Sequence, residues 1–257
     1  MSDRDVLYEK KGPIAWLTVN REERRNALSM DMIDLISGYL DEAENDEAIR
    51  VVCLTAVGDK AFCSGADLAT SFQSTDYVSG ARKYAALLKR MASFSKPIVG
   101  RVNGHCLAGG MGLMLSCDIV YAREGIKMGT PEVNVGLFPM MIGALIFRNA
   151  TRKKALEMIY TARTLSAAEG EEMGLITRAL PAEQLDDAVN ETLTAIAGKA
   201  PVAIRLGKQA LARAQDMSLN EGLDHLCEQL GKVVETEDAR EGLTAFLQKR
   251  PPVWKGR

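Results

Sequence analysis

Ile98-Val-Gly-Arg-Val-Asn-Gly-His-Cys-Leu-Ala-Gly-Gly-Met-Gly-Leu-Met-Leu-Ser-Cys-Asp118 is the stretch whose reading decides the fold. Ile98 to Val102 is a β-type run, and Asn103-Gly104 breaks it with a turn. Glycines then crowd the chain, after which Leu113, Met114 and Cys117 recur at helical spacing. The pattern is strand, tight loop, helix start. The first amides of a helix lack partners within it and sit at the positive end of its dipole. Gly109, Gly110 and Gly112 let a ligand approach that backbone closely. Such a place suits a phosphate, or an oxygen that becomes anionic during a reaction. Neither common phosphate motif is complete: Gly110 stands where a P-loop needs lysine, and Gly110-Met-Gly112 lacks the third glycine of a dinucleotide fingerprint. Close packing of a helix on a strand, with no ligand, is the competing reading.

A second stretch, Lys60-Ala-Phe-Cys-Ser-Gly-Ala-Asp-Leu68, has the same character and follows the strand-like run Val51 to Val57. Two such loops would each aim one backbone N–H at a shared oxygen. With Ala61–Leu68, Val102–Gly110, Cys117-Asp-Ile119 and Thr130-Pro-Glu-Val-Asn-Val-Gly-Leu-Phe-Pro139, the chain resembles the crotonase superfamily, also called the enoyl-CoA hydratase/isomerase family. The resemblance runs from about Val6 to Trp254. It implies an α/β fold, a spiral of repeated ββα units with a C-terminal helical trimerisation region. The implied division is a core over residues 1–198 that carries the active site, and an oligomerisation region over 199–257.

Composition narrows the function independently. A net charge of −2 argues against a general nucleic-acid or membrane-surface binder. No apolar run reaches the length of a membrane span, and the polar start is no signal peptide. Five cysteines without a CxxC pair point to reduced thiols in a cytoplasmic protein. Cys63 and Cys106 lie in the key loops without an evident activating base, so they read as small packing residues. Two histidines and no Cys/His cluster give no metal site. His105 reads as structural, His225 as surface or interface, and Asp118 as structural.

Along the chain, Ile14 to Val19 reads as a strand. Ser29 is the expected N-cap of a helix whose apolar face repeats at 32, 33, 35, 36 and 40. Val51 to Val57 is apolar on both parities, as for a strand covered on both faces. Residues 70–80 are polar and irregular, and helix follows over Ala81 to Phe94. Short strands are expected over 118–122 and 126–128, and helical spacing over 144–160. A capping box is expected at Ser166-Ala-Ala-Glu169. Four amphipathic helices follow from Leu185 to Gln248. The basic tail with Trp254 reads as a solvated end, or as one that approaches a ligand near a subunit boundary.

The resemblance assigns roles. The N–H groups of Ala66 and Gly109 form an oxyanion hole for a thioester carbonyl. Glu132 is the acid–base residue. Arg24, Arg25 and Ala27 would lie along the CoA nucleotide, a solvated charged turn being the alternative; Ser64, Leu68 and Gly110 would border the same channel, and Asp67 would brace the loop or lie near CoA. Phe138, Met140, Met141 and Ile142 would supply an apolar wall that raises the Glu132 pKa; many relatives have small residues and glycine at 140–142, so this bulkier set departs from the family and would narrow or reshape the acyl site. The partner is an acyl-CoA thioester, CoA being part of the substrate with no separate cofactor, and assembly is as a homotrimer or dimer of trimers. Hydratases of the family hold one water between two glutamates, and the first falls where this chain has Gly112. A single carboxylate still suffices to carry a proton from one carbon to another, as in enoyl-CoA isomerases. Hydration by Glu132 alone is the alternative, and a non-catalytic acyl-CoA-binding protein is a third reading of a different class. Asp76 and Glu124 are the other carboxylates in view, with no motif to place them at the site.

Overall fold

The computed structural model describes residues 4–67 and 76–257. The strands are β1 Val6–Lys11, β2 Ile14–Val19, β3 Val51–Ala56, β4 Ala61–Cys63, β5 Ile98–Val102, β6 His105–Leu107, β7 Ile119–Arg123, β8 Lys127–Gly129, β9 Leu165–Ser166 and β10 Arg178–Leu180. The helices are α1 Met30–Asn45, α2 Tyr77–Ala92, α3 Gly109–Leu115, α4 Met140–Asn149, α5 Arg152–Thr161, α6 Ala167–Glu172, α7 Ala182–Ala197, α8 Pro201–Ala214, α9 Leu219–Val234 and α10 Glu237–Leu247.

These strands form a six-stranded sheet in the order β1-β2-β3-β5-β7-β10 and a four-stranded sheet in the order β4-β6-β8-β9. The chain deals its strands out in pairs. The first of each pair (β3, β5, β7) joins the large sheet, the second (β4, β6, β8) joins the small one, and helix follows. Repetition of this strand–strand–helix unit winds the chain into the expected spiral.

β3 is buried at every position. Val52 and Leu54 face the main core, while Val51 and Cys53 face a second cluster with Leu185, Val189 and Leu193 of α7. That is why its sequence is apolar on both parities. Buried asparagine side chains pin the crossings between the sheets. Asn103 donates to the carbonyls of Ala56 (2.9 Å) and Gly58, and Asn26 donates to those of Val57 (3.1 Å) and Ala61 (2.6 Å). A buried polar group must be bonded, and here those bonds hold successive loops in register.

Ser29 caps α1 through the Met32 N–H, and Ser166 and Glu169 close a capping box on α6. The helical run expected over 144–160 is interrupted: Ala150 and Thr151 are extended, and two helices replace one. β1 was not marked by the sequence pattern, because its Glu9, Lys10 and Lys11 lie on an exposed sheet edge. The tail folds back on α10. Asp238 accepts from the Lys255 and Gly256 N–H groups, and Trp254 Nε1 donates to the Gly198 carbonyl at 2.8 Å.

Candidate active site

Three adjacent strands of the small sheet, β4, β6 and β8, run parallel. Just beyond their carboxyl ends come Ala66, Gly109 and Glu132 in turn. Ligands of α/β folds bind at the carboxyl ends of strands, where successive loops converge. The register explains the convergence here: Leu107 lies opposite Gly129, and the Ala108 N–H donates to the Gly129 carbonyl at 2.9 Å.

The first two loops touch. A Cβ placed on Gly109 would lie 3.6 Å from the Ala66 nitrogen, and one on Gly65 would lie 2.7 Å from the Ala108 Cβ. Gly65 has φ +105, a conformation open to glycine. Ala108, at φ 47 and ψ −122, holds a conformation that a side chain disfavours, and such strain collects at functional sites. The Gly65 carbonyl accepts from Leu28 N–H (2.8 Å), in a bridge completed by Asp67 N–H to the Leu28 carbonyl (2.8 Å). In a trans peptide the C=O and N–H point in opposite directions, so the Ala66 N–H faces away from Leu28.

Ala66 and Gly109 both line a cavity of about 610 Å³, together with Leu28, Ile33, Tyr84 and Met141. Asp76, the N-cap of α2, and Asp31 are at its polar side. Glu124 lies elsewhere, bonded through its N–H to Leu180 after β7.

Glu132 sits in the 3-10 turn Pro131–Val135. One carboxylate oxygen, Oε2, is buried without a hydrogen-bond partner among the described residues. Burial raises its pKa above the usual carboxylate value.

Tyr84 of α2 was not singled out by sequence. Its hydroxyl donates to the Gly109 carbonyl at 2.5 Å. Burial holds its pKa well above that of a free phenol, with smaller contributions from Cys63, Cys106 and the charge of Glu132.

The remaining expected residues divide by surroundings. Arg24 and Arg25 are exposed, and the Arg25 carbonyl accepts from Ser64 N–H at 3.2 Å, so their turn adjoins the Ala66 loop. Ala27 is buried, its carbonyl accepting from Arg21 Nη1. Arg21 also pairs with buried Asp67 at 3.2 Å, bracing the loop from below. Leu68 lies outside the described residues. Gly110 faces away from the cavity: a Cβ there would meet the Cys63 carbonyl oxygen at 2.5 Å. Met141 lines the cavity, whereas Phe138 and Met140 are exposed and Ile142 is core. Phe138 leans on Tyr160 instead, ring centroids 6.4 Å apart. Packing therefore divides a wall that the sequence presented as continuous. Cys63 is buried with its thiol pKa pushed up to about 12, and Cys106 is likewise raised by burial. Both are inert packing groups. His105 Nδ1 accepts from the Lys127 N–H at 2.9 Å, a structural bond between β6 and β8. Asp118 accepts from the Ile98 N–H and from Lys208.

Residues 9–257 match the model of the enoyl-CoA hydratase/isomerase family. The chain belongs to that family. It is an acyl-CoA enzyme of the crotonase superfamily. It is 32% identical over 255 residues to the short-chain-enoyl-CoA hydratase of Clostridium acetobutylicum, covering 97% of each chain. It is 30% identical to 2,3-dehydroadipyl-CoA hydratase of Escherichia coli, covering 98% of this chain and 99% of that one. The crystal structure of an enoyl-CoA hydratase from Bacillus anthracis superposes with a TM-score of 0.94 at 31% identity, covering 99% of this chain and 100% of the other. Among the described residues no helix is long and apolar enough to cross a membrane.

Proposed function

We propose that this family member moves a carbon–carbon double bond in an acyl-CoA thioester, through an enolate and with one carboxylate. The thioester oxygen accepts from the Ala66 and Gly109 N–H groups. Ionised Glu132 removes a proton from C2 of a 3-enoyl thioester. The electron pair delocalises onto the thioester oxygen and C4. Glu132, now protonated, returns the proton to C4, and the double bond comes to lie between C2 and C3. Each backbone donor contributes about 3 kcal/mol to a developing oxyanion. A raised carboxyl pKa matches a group that must both take and give a proton.

What supports this reading is that Ala66 and Gly109 line one cavity, that Glu132 follows the neighbouring strand β8 with its charge acting on Tyr84 of that cavity, and that glycine stands where the resemblance puts a second glutamate. Hydration assisted by Glu132 alone is the second reading, and the hydratase names of the relatives favour it. Supplying crotonyl-CoA and a 3-enoyl-CoA separately distinguishes the two. Isomerisation creates the conjugated absorbance from the 3-enoyl ester; hydration removes it from crotonyl-CoA. Turnover of crotonyl-CoA alone would reject the isomerase reading, and binding without turnover of either would leave only an acyl-CoA-binding role.

The CoA moiety is read as lying along the Arg24–Ala27 turn, whose exposed guanidinium groups suit its phosphates. No cofactor other than the CoA carried by the substrate enters this scheme. Assembly into trimers or pairs of trimers is part of the same proposal. It is supported by exposed Leu219, Leu223, Leu230 and Val234 along α9 and by Leu243, Phe246 and Leu247 of α10.

A further inference from the structure

Gly112 lies in the first turns of α3, buried, and the ring of Tyr84 is packed over it. A Cβ built on Gly112 would fall on the Tyr84 hydroxyl, 3.0 Å from its Cζ and 3.3 Å from Leu88 Cδ2. A side chain at 112 and the phenol at 84 therefore exclude one another. Tyr84 is only 8% exposed and its hydroxyl is bonded, so moving the ring off Gly112 would break that bond and turn the ring into the cavity it lines. The hydroxyl proton is committed to the Gly109 carbonyl, the residue whose N–H is the second oxyanion donor.

We propose that Tyr84 is the residue that sets the reaction type. Its phenol fills the space that a carboxylate at 112 and its bound water would need, and its hydroxyl steadies the Gly109 peptide. This rests on the reading of Ala66, Gly109 and Glu132 as the reacting site. The phenol stays neutral at physiological pH, because burial raises its pKa, and so it does not replace the missing base. It acts by exclusion and by positioning. Its place 25 residues from the carbonyl it holds explains why no linear motif contains it.

The test compares hydration of crotonyl-CoA with isomerisation of 3-hexenoyl-CoA in the wild type, Y84F, Y84A and the double variant Y84A/G112E, each checked for folding by circular dichroism and melting. The double variant is expected to hydrate crotonyl-CoA at least about tenfold faster than the wild type, and adding E132Q should remove the gain. A folded double variant that hydrates no faster than the wild type overturns the proposal. If the double variant does not fold, Y84A decides: opened space should raise hydration relative to Y84F, which keeps the ring, and equal rates overturn it. Y84F should also lower kcat about fivefold with KM within twofold, as loss of one bond to the donor turn requires; an unchanged kcat rejects the positioning role. Absence of 3-hexenoyl-CoA isomerisation by the wild type would instead reject the isomerase reading, and the hydration comparison would then judge Tyr84 by itself.

Discussion

At the scale of single residues, Glu132 combines two features that folding alone does not favour: an oxygen buried without a partner among the described residues, and a pKa raised by burial. The folded chain binds this proton more tightly than the unfolded one. Stability from this group is therefore greatest below the unfolded carboxyl pKa of about 4.3 and falls as pH rises through the folded value. E132Q is expected to melt higher than the wild type at pH 8, with the difference shrinking as the pH approaches about 4. A lower melting temperature at pH 8 would contradict this account. The same variant should lose about 10²- to 10⁴-fold in kcat. In the wild type, kcat/KM should fall on acidification with a midpoint above the ordinary carboxyl value of about 4.3, and a midpoint below it would show that burial does not tune this group. Glu132, Ala66 and Gly109 could be proposed from the sequence because each lies in a contiguous motif. Tyr84 could not, because its significance lies in the volume it takes from Gly112.

At the scale of elements, the site depends on how closely α3 sits on β4. Gly110 faces the Cys63 carbonyl with no room for a methyl group. G110A should push α3 off the strand, costing about 1–3 kcal/mol in denaturant unfolding. Because α3 begins with Gly109, kcat should fall while Glu132 keeps its acid limb in the pH profile. Wild-type stability in G110A would show that the helix yields freely. Strand and helix identity was readable where burial imposes a period: β2 as Ile14–Val19, β3 by its two apolar faces, α9 by its amphipathic repeat. It failed where exposure weakens the pattern, as in β1, and where Thr151 restarts a helix inside a continuous apolar period.

At the scale of the whole molecule, α9 and α10 present leucines and Phe246 that the chain does not cover. Light scattering is expected to give three or six copies, and L223D/L230D is expected to give monomers. A monomeric wild type would mean these faces serve another purpose. The sequence by itself determined the family and the two glycine-bearing turns, since these are local patterns of residue type. Tertiary structure alone decided which of those residues share a cavity. It turned Met141 inward and Phe138 outward, and made Gly110 a packing contact. It also laid the Tyr84 ring over Gly112. The physical reason is that local conformation follows from neighbours along the chain, whereas the occupancy of a given volume is settled between segments that only folding brings together.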